Sequence, residues 1–392
     1  MKHQFLTRKL KYYTLLTFIL TITHTAFGQT ITTFAAQGRS SAAKEKQPAH
    51  IDIEGMSGGV TDKDGNLFVA DLHGSRILKI TAQGIVSVIA GTGEAGFSGD
   101  GGAATGARLR SPSGLAFDQQ GNLYVADCEN NRIRKINLAT DGSITTIAGN
   151  GETGFSGNGG KATKANFQSP SDVVVDNSGN VYVSDYGNNC IRKINPSGII
   201  TAFAGNANGY GTGSGKYSGD GKHALNAELN HPKGMCIDDK GSLYFADCFN
   251  HRVRKVNTQG IITTIAGNGV PGFKGDFGKA SVAELNFPYS IEAGKYGNIF
   301  ISDHSNNRIR EVDNHGIIKT IAGNNESDMA VNAGSLKLPT FICGDRVGNL
   351  YIGDNGNSSI KKLNLSDGQG VTNTVTQGMK INSMQGGHFI TN

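Results

Sequence analysis

A sixteen-residue motif recurs six times along this 392-residue chain, and the repetition restricts the possible folds more than any other feature of the sequence. The second copy reads GNLYVADCENNRIRKI and spans residues 121–136. Every copy carries one aspartate at the same place, and successive aspartates are 56, 58, 62, 56 and 51 residues apart. They are Asp71, Asp127, Asp185, Asp247, Asp303 and Asp354. A period of this length predicts a repeat architecture in which similar units pack side by side.

Each repeat predicts four β-strands. An apolar run such as 123–126 suits a strand covered on both faces, and a polar turn separates it from the mixed apolar and basic run 132–136. A short strand entered through proline, 111–118, comes before the motif, and a β-branched run, 141–149, follows it. Six four-stranded antiparallel sheets cover one another's apolar faces when they are stacked radially. We therefore predict an all-β fold, a six-bladed β-propeller.

Nearly the whole chain belongs to this one array, so we interpret residues 29–392 as a single domain and expect a monomer. Its 56 glycines fit the roughly two dozen turns that such a propeller needs. The predicted repeat cores are about 58–90, 112–149, 170–205, 232–267, 288–323 and 339–376.

The first 28 residues have the organisation of a secretory signal peptide. Four basic residues precede an apolar run at 12–22, and Ala26-Phe27-Gly28 forms a cleavage site before Gln29. No later stretch approaches the ~20 apolar residues of a membrane span. We expect a secreted, periplasmic or extracellular protein without a transmembrane segment after signal removal. Since the formal charge of +5 falls to about +1 without those four residues, we expect no nucleic-acid partner.

Five cysteines, an odd number, occur at positions 128, 190, 236, 248 and 343. Equivalent positions in different blades cannot meet, and a turn near Lys240 would place Cys236 opposite a residue near Tyr244 rather than beside Cys248. The one disulfide geometry that we retain is Cys190 facing Cys128 or Cys248 from an adjacent blade. We interpret most of the cysteines as small buried hydrophobic residues.

Two segments compete for the outermost strand of the last blade. Residues 30–36, TITTFAA, have the pattern of an outer strand but precede the first complete repeat. Val371–Thr376 follows the sixth repeat through Asn364–Gly370, which matches Asn137–Ser143 of the second repeat in length and type. That match favours Val371–Thr376 as the closing strand and makes residues 29–36 an accessory strand.

The loops between blades form a second repeated element of the type GFSGDGG. We predict that its aromatic residues pin each loop to a blade; they are Phe97, Phe155, Tyr217 and Phe273. The alternative is cation binding through Asp100, Asp220 and Asp276. A calcium loop needs several closely spaced oxygen ligands, and each loop offers one carboxylate, so we favour the structural interpretation.

The motif GNLYVAD-x-x-NNRIRKI, with P-x-G before it and ITTIAG-x-G after it, resembles the NHL repeat. The FSGDGG loop resembles the form found in secreted bacterial NHL proteins and teneurin propellers. This resemblance covers about residues 30–376 and implies a six-bladed propeller of NHL repeats. It says less about function, because NHL propellers include protein- and RNA-binding modules. Related rings include gluconolactonase-like hydrolases and the peptidyl-hydroxyglycine lyase.

A residue repeated in most blades, such as Asp127 or Arg132, is expected to hold a turn rather than to perform chemistry once. Candidate site residues are therefore departures from the repeat, and we expect them to line one mouth of the channel. They are Glu292, Asp172, His304 and His231, with His73 at a further blade end. Carboxylates and histidines that converge there would bind calcium or zinc and polarise a lactone or similar substrate. The competing interpretation, which we favour, is simple drift among repeats.

The basic residues of the third strands, including Arg132, Arg134, Arg252 and Arg254, are interpreted as a solvated edge. The sequence contains no recognisable catalytic motif, and we predict no cofactor. We therefore favour a non-enzymatic, secreted scaffold that binds a protein or carbohydrate ligand through a propeller face or its loops. The alternative is a metal-dependent, gluconolactonase-like hydrolase or lyase with its site in the channel and with calcium or zinc as cofactor.

Overall fold

The computed structural model describes residues 31–35, 53–206, 215–323 and 335–365. These residues form six four-stranded antiparallel sheets, and the first strand of each sheet packs against the first strands of its two neighbours. The sheets therefore form a closed ring around a channel, which confirms the predicted six-bladed propeller. Within the described ranges, no helix is long and apolar enough to cross a membrane.

The strands follow one another from the channel to the outer edge of each blade, except that β1 (Ile31–Ala35) belongs to the last blade. Blades one and two contain β2 (Met56–Thr61), β3 (Leu67–Asp71), β4 (Arg76–Ile80), β5 (Val86–Ala90), β6 (Pro112–Phe117), β7 (Leu123–Asp127), β8 (Arg132–Ile136) and β9 (Ile144–Ala148). Blades three and four contain β10 (Pro170–Val175), β11 (Val181–Asp185), β12 (Cys190–Ile194), β13 (Ile200–Ala204), β14 (Pro232–Ile237), β15 (Leu243–Asp247), β16 (Arg252–Val256) and β17 (Ile262–Ala266). Blades five and six contain β18 (Pro288–Ala293), β19 (Ile299–Asp303), β20 (Arg308–Val312), β21 (Ile318–Gly323), β22 (Pro339–Gly344), β23 (Asn349–Asp354) and β24 (Ser359–Asn364).

Short 3-10 turns occur at two recurring places. One set follows the second strand of a blade: Cys128–Asn130, Tyr186–Asn188, Cys248–Asn250, His304–Asn306 and Asn355–Asn357. The other set lies in the loops between blades: Ala104–Gly106, Ala162–Lys164, Ala224–Asn226 and Ala280–Val282. A further turn, Lys295–Gly297, joins the first two strands of blade five.

The glycine of the P-x-G motif allows neighbouring inner strands to approach closely. A Cβ atom on Gly234, of Pro232-Lys233-Gly234, would lie 2.6 Å from the Tyr289 carbonyl oxygen on the next inner strand. Farther out, apolar side chains fill the space between blades; for example, Phe68 and Ala70 of β3 belong to one buried cluster with Val125 of β7. The core is thus divided into layers between blades, which explains why the second strands are buried on both faces.

The N-terminal strand closes the ring. β1 pairs antiparallel with β24 and completes the sheet order β1-β24-β23-β22. Phe34 of β1 is buried and packs edge-on against Tyr351, with 5.0 Å between ring centroids. The prediction that Val371–Thr376 closes the ring is therefore wrong, because β1 occupies the outer edge of β24. The described part of the sixth repeat ends at residue 365, and the predicted extension of its core to 376 lies outside the described residues.

Each repeated aspartate ties together a turn within its own blade. Asp127 is fully buried, and its Oδ1 accepts the backbone N–H of Arg110 at 2.8 Å. Its Oδ2 accepts hydrogen bonds from Asn130 Nδ2 at 2.9 Å and Arg134 Nη1 at 3.1 Å. The structural role predicted for the aspartate is confirmed. A pairing of this aspartate with the arginine five residues later, also expected from the repeat, occurs in blade one between Arg76 and Asp71 at 2.9 Å. It does not occur in blade two, where Arg132 donates instead to the backbone carbonyls of Asn130 and Asn150.

Four arginines of the third strands are fully buried rather than solvated: Arg134, Arg192, Arg254 and Arg310. Arg134 donates to the carboxylate of Asp100 at 2.7 Å and to the carbonyl of Ser98 at 3.1 Å, both in the loop between blades one and two. Phe97 of the same loop lies over the guanidinium of Arg132, 3.6 Å from ring centroid to Cζ. The loop therefore folds across the third strand and shields it. This confirms the structural interpretation of the loop and corrects the solvated-edge interpretation of these four arginines.

All five cysteines lie within the described residues and all are free thiols. The retained disulfide between Cys190 and Cys128 or Cys248 is therefore wrong. Cys236 pairs with Tyr244 across β14 and β15, as the predicted turn near Lys240 requires. Four of the thiols are buried and Cys128 is half-buried, which agrees with their interpretation as small apolar side chains.

Candidate functional site

The two ends of the channel differ, and one of them collects most of the unusual side chains. Five of the six inner strands begin with a proline at the same end: Pro112, Pro170, Pro232, Pro288 and Pro339. Each proline pairs with the repeated aspartate of its blade, so the turns that follow the aspartates lie at this end as well. We call it the proline mouth. A cavity of about 350 Å³ lies between the inner strands.

The four candidate site residues do not converge on one mouth, contrary to expectation. His231 precedes Pro232 and His304 follows Asp303, which places both at the proline mouth. Asp172 is the third residue of β10, inside the channel wall. Glu292 pairs with Phe300 and is four residues from Pro288, about 13 Å along the strand toward the opposite end. His73 is exposed on the turn of blade one.

Asp172 and Glu292 each bind the inner strand of the next blade. Asp172 Oδ2 accepts the backbone N–H of Met235 at 2.6 Å, in space that is free because Gly114 has no side chain. Glu292 Oε1 accepts the backbone N–H of Gly344 at 3.1 Å. Burial raises the pKa of each carboxyl to about 7 despite these hydrogen bonds. Their placement gives both residues a role in joining neighbouring blades.

The two histidines of the proline mouth stand among other rings. His231 lies 4.5 Å from Tyr186 and 4.5 Å from Phe249, measured between centroids, and its Nδ1 is 2.7 Å from Asn230 Oδ1. His304 stacks on Tyr289 at 5.0 Å with an interplanar angle of 20°. Burial, followed by the nearby charge of Lys233, lowers the pKa of His304 to about 4. His304 is therefore neutral at physiological pH.

Lys233 is the residue at the centre of this mouth that our sequence analysis missed. Its Nζ lies 3.6 Å from the ring centroid of Tyr289 and 5.3 Å from that of Tyr186. Its charge also acts on Cys128, so the ammonium influences groups from blades two to five. Burial favours the neutral amine of Lys233, whereas Tyr289, Tyr186 and Cys248 raise its pKa on balance once they ionise at high pH. The proline mouth thus contains a lysine whose ammonium lies against the faces of two tyrosine rings.

The ring contacts continue outward from the histidines. Phe249 meets Phe287 edge-on at 4.9 Å, and Phe287 meets His251 at 4.8 Å. Phe249 is 41% exposed, so this run of rings reaches solvent. Blades three, four and five supply all of these rings, whereas the inner strands of blades one and two have Ser57 and Ser113 where Lys233 and Tyr289 stand. The mouth is therefore aromatic and basic on one side only.

The described residues do not fit a metal centre. No three histidine, cysteine, aspartate or glutamate side chains within the described ranges are close enough to hold a metal ion. The ammonium of Lys233 would in addition repel a cation placed beside His304. A second and larger cavity, of about 1170 Å³, lies at the opposite end between loops of blades one, two, five and six, and Glu292 borders it.

The similarities of this chain to known families and proteins agree with the fold. The NHL repeat matches residues 109–136 and 167–194, and the teneurin NHL domain matches residues 210–273. Protein SUPPRESSOR OF QUENCHING 1, chloroplastic, of Arabidopsis thaliana is 28% identical over 78% of this chain and 30% of its own length. Teneurin-3 of Mus musculus is 29% identical over 63% of this chain and 10% of its own length. The chain thus spans much less than two thirds of these relatives.

Two solved structures show the same fold at low identity. A gluconolactonase from Xanthomonas campestris has a TM-score of 0.53 at 15% identity, covering 81% of this chain and 88% of its own. An auxiliary nutrient binding protein from Bacteroides thetaiotaomicron has a TM-score of 0.58 at 14% identity, covering 85% and 75%. Fold, repeated motif and matches together define a six-bladed β-propeller. More particularly, two of its segments match the NHL repeat and a third matches the teneurin NHL domain.

Proposed function

We propose that this protein is an exported binding module that holds a carbohydrate or protein ligand at the proline mouth. The observation that carries the proposal is the run of ring contacts from Tyr186 through His231 and Phe249 to Phe287, in which the ring of Phe249 is exposed to solvent. Exposed aromatic rings beside a concave opening offer a large contact area at a small cost in side-chain entropy.

The fold alone does not choose between binding and catalysis. Similar propellers include a gluconolactonase and a nutrient binding protein, so function must be argued from the mouth itself. The metal-dependent alternative needs ligands that the described residues do not bring together. Elemental analysis of the purified protein tests it directly. Stoichiometric calcium or zinc that disappears in His304→Ala or Glu292→Gln would favour the enzyme.

The binding proposal is tested with an array of glycans and of extracellular proteins, probed with the wild type and two variants. Phe249→Ala removes the exposed ring of the mouth. Phe277→Ala removes a ring that is 74% exposed on the loop between blades four and five, where its backbone N–H contacts β21. We expect a restricted set of ligands that Phe249→Ala loses and Phe277→Ala keeps. Equal loss in both variants, or no ligand for the wild type, would contradict the proposal.

Export is a separate part of the proposal, and it rests on residues 1–28, which lie outside the described residues. N-terminal sequencing of protein from the native host is expected to begin at or near Gln29. Intact Met1 on a cytoplasmic pool would remove the extracellular compartment and reopen the question of a nucleic-acid partner.

A further inference from the structure

The ammonium of Lys233 has no carboxylate partner among the described residues. Two other lysines that lie over aromatic rings have one: Lys135 is 3.5 Å from the carboxylate of Asp118, and Lys255 is 3.9 Å from that of Asp238. The lysines over rings that have no such pair, Lys79, Lys193 and Lys362, lie on third strands away from the proline mouth. Lys233 has its ring contacts with Tyr289 and Tyr186, and no ion pair of the described ranges includes it. A cation held in a narrow mouth without a counter-ion loses hydration without full compensation.

Four groups around Lys233 are neutral near pH 7. Burial raises the pKa of Tyr186, Cys128 and Cys248 to about 12 each, and burial lowers that of His304 to about 4. The acid that feels the charge of Lys233 is Asp172 in the channel wall; burial raises its pKa to about 7, so its carboxyl group is only partly ionised near neutral pH. The mouth therefore presents a positive charge that its own side chains neutralise only in part.

The geometry points to an acidic sugar as the ligand, and we propose that the proline mouth binds a hexuronate residue through Lys233. The carboxylate of a uronate supplies the single negative charge that one ammonium matches. Phosphate groups usually engage several cations or a row of backbone amides. The C–H face of the pyranose packs against the exposed ring of Phe249. This inference rests on the proposed function and names its ligand class.

The space beside Lys233 is of a size that suits a sugar unit. Lys233 and Tyr289 line the channel cavity of about 350 Å³, which is at the lower end of the range for small-molecule sites. His304 and His231 are neutral imidazoles with both donor and acceptor nitrogens, which suits sugar hydroxyls. A peptide that ends in a carboxylate shares the charge but has no pyranose face for the rings, so we favour the uronate.

The test is titration calorimetry with digalacturonate and with its neutral counterpart, digalactose. We expect digalacturonate to bind at least tenfold more tightly, which is about 1.4 kcal/mol. Lys233→Met should remove that difference, whereas Lys233→Arg should keep part of it. Lys193→Met is the matched control, because Lys193 also lies over a tyrosine ring, 5.4 Å from the Tyr182 centroid, but on a third strand away from the mouth. The melting temperature of each variant verifies folding.

Several outcomes would overturn the inference. They are equal affinity for the two disaccharides, unchanged affinity in Lys233→Met, and no binding of digalacturonate at millimolar concentration. Binding of a peptide with a free C-terminus, but not of its amidated form or of the uronate, would also overturn it. Failure of the proposed function looks different: there no ligand of any class depends on Phe249. If digalactose binds and Phe249→Ala weakens it, the binding module stands and only the acidic sugar is wrong.

Discussion

The buried guanidinium of Arg134 binds the carboxylate of Asp100 across the boundary between two blades, at 2.7 Å. Arg134 also binds Asp127 of its own blade at 3.1 Å, so one side chain joins a loop, a turn and a strand. Corresponding arginines in blades three to five contact the corresponding loop residues Asn158, Asp220 and Asp276. The repeated loop is thus attached to the ring by charge as well as by packing.

Replacement of Arg134 by methionine is expected to lower the free energy of unfolding by about 3–5 kcal/mol, because it leaves Asp127 buried without its charged partner. Denaturant unfolding measures the change. Arg110→Met is the control, since Arg110 pairs with Glu129 at the surface, where about half of each side chain is exposed. It should cost less than about 1 kcal/mol. If the free energy of unfolding falls by similar amounts in both variants, the buried ion pair contributes no more to stability than the surface pair.

Asp100→Asn is expected to be mild, at about 1 kcal/mol or less. Asn158 already occupies this position in the next loop and accepts from Arg192 at 3.0 Å. The same denaturant experiment measures the effect, and a loss as large as that of Arg134→Met would mean that the carboxylate of Asp100 is indispensable.

Phe34→Ala is expected to cost about 3–4 kcal/mol, because Phe34 is buried against Tyr351 in the cluster between blades six and one. Thr32→Ala on the same strand is the control; Thr32 is half-buried and pairs with Lys362, and its loss should cost less than about 1 kcal/mol. Deletion of residues 29–36 should leave the protein insoluble or broadly unfolded. A deleted protein that melts only a few degrees lower would contradict the closure by β1.

Glu292→Gln is expected to remove a pH dependence of stability. The pKa of Glu292 is about 7 in the folded protein against 4.5 for the free side chain, so the folded state binds the extra proton between these values. Its contribution to stability is complete below about pH 4.5 and is lost as the pH rises through about 7. Cys236 and Cys343, whose thiols feel its charge, remain protonated because burial raises their pKa values.

The glutamine variant should therefore be more stable than the wild type at pH 8, by about 1–2 kcal/mol once partial exposure to channel water is allowed for, and similar at pH 4. Melting temperatures across this range measure the difference. Parallel pH profiles for the two proteins would mean that Glu292 titrates normally.

His304 is expected to remain neutral down to about pH 4, and its pKa should rise in Lys233→Met because the neighbouring positive charge is gone. The rise is partial, since burial is the larger cause. NMR titration of the imidazole Cε1–H signals measures the pKa of His304 in the wild type and in Lys233→Met, with the signal of the exposed His315 for comparison. An unchanged His304 titration in Lys233→Met would place the two side chains farther apart than the structure does.

The period of the repeat was sufficient to predict the blades, because six copies of one motif can cover their apolar faces only by packing against each other. Arg134 was expected to be solvated but is buried, and the error has a physical reason. Alternating basic residues are typical of an exposed strand, and the pattern does not show that a loop folds over it. A signal was nevertheless present: arginine occupies this position in the same four repeats that follow a loop of the GFSGDGG type. Repeat one has Leu78 there, and repeat six has Lys361.

The site was less predictable than the fold. Glu292 and Asp172 were recognised as departures from their repeats. Such a departure does not show whether the residue lies at the same end of the channel as the other candidate residues. Lys233 and Tyr289 stand where three other repeats have serine, and comparison of that one column would have found them. Lys233 and Tyr289 lie together at the proline mouth because blades four and five are adjacent. The sequence did not determine which segment closes the ring, because the two competing segments have the same strand pattern. Only their positions in space distinguish them.

The pairing of β1 with β24 also has a consequence for biosynthesis. Lys361 Nζ binds Thr33 Oγ1 although 328 residues separate them, so β1 leaves the ribosome long before its partner β24. Linear repeat arrays grow from any starting point, one neighbour at a time. This ring must instead hold two unpaired sheet edges until β24 has been synthesised, and contacts of such separation are slow to form. The unsealed nascent chain is therefore the stage at which this protein is most exposed to aggregation and most in need of a chaperone.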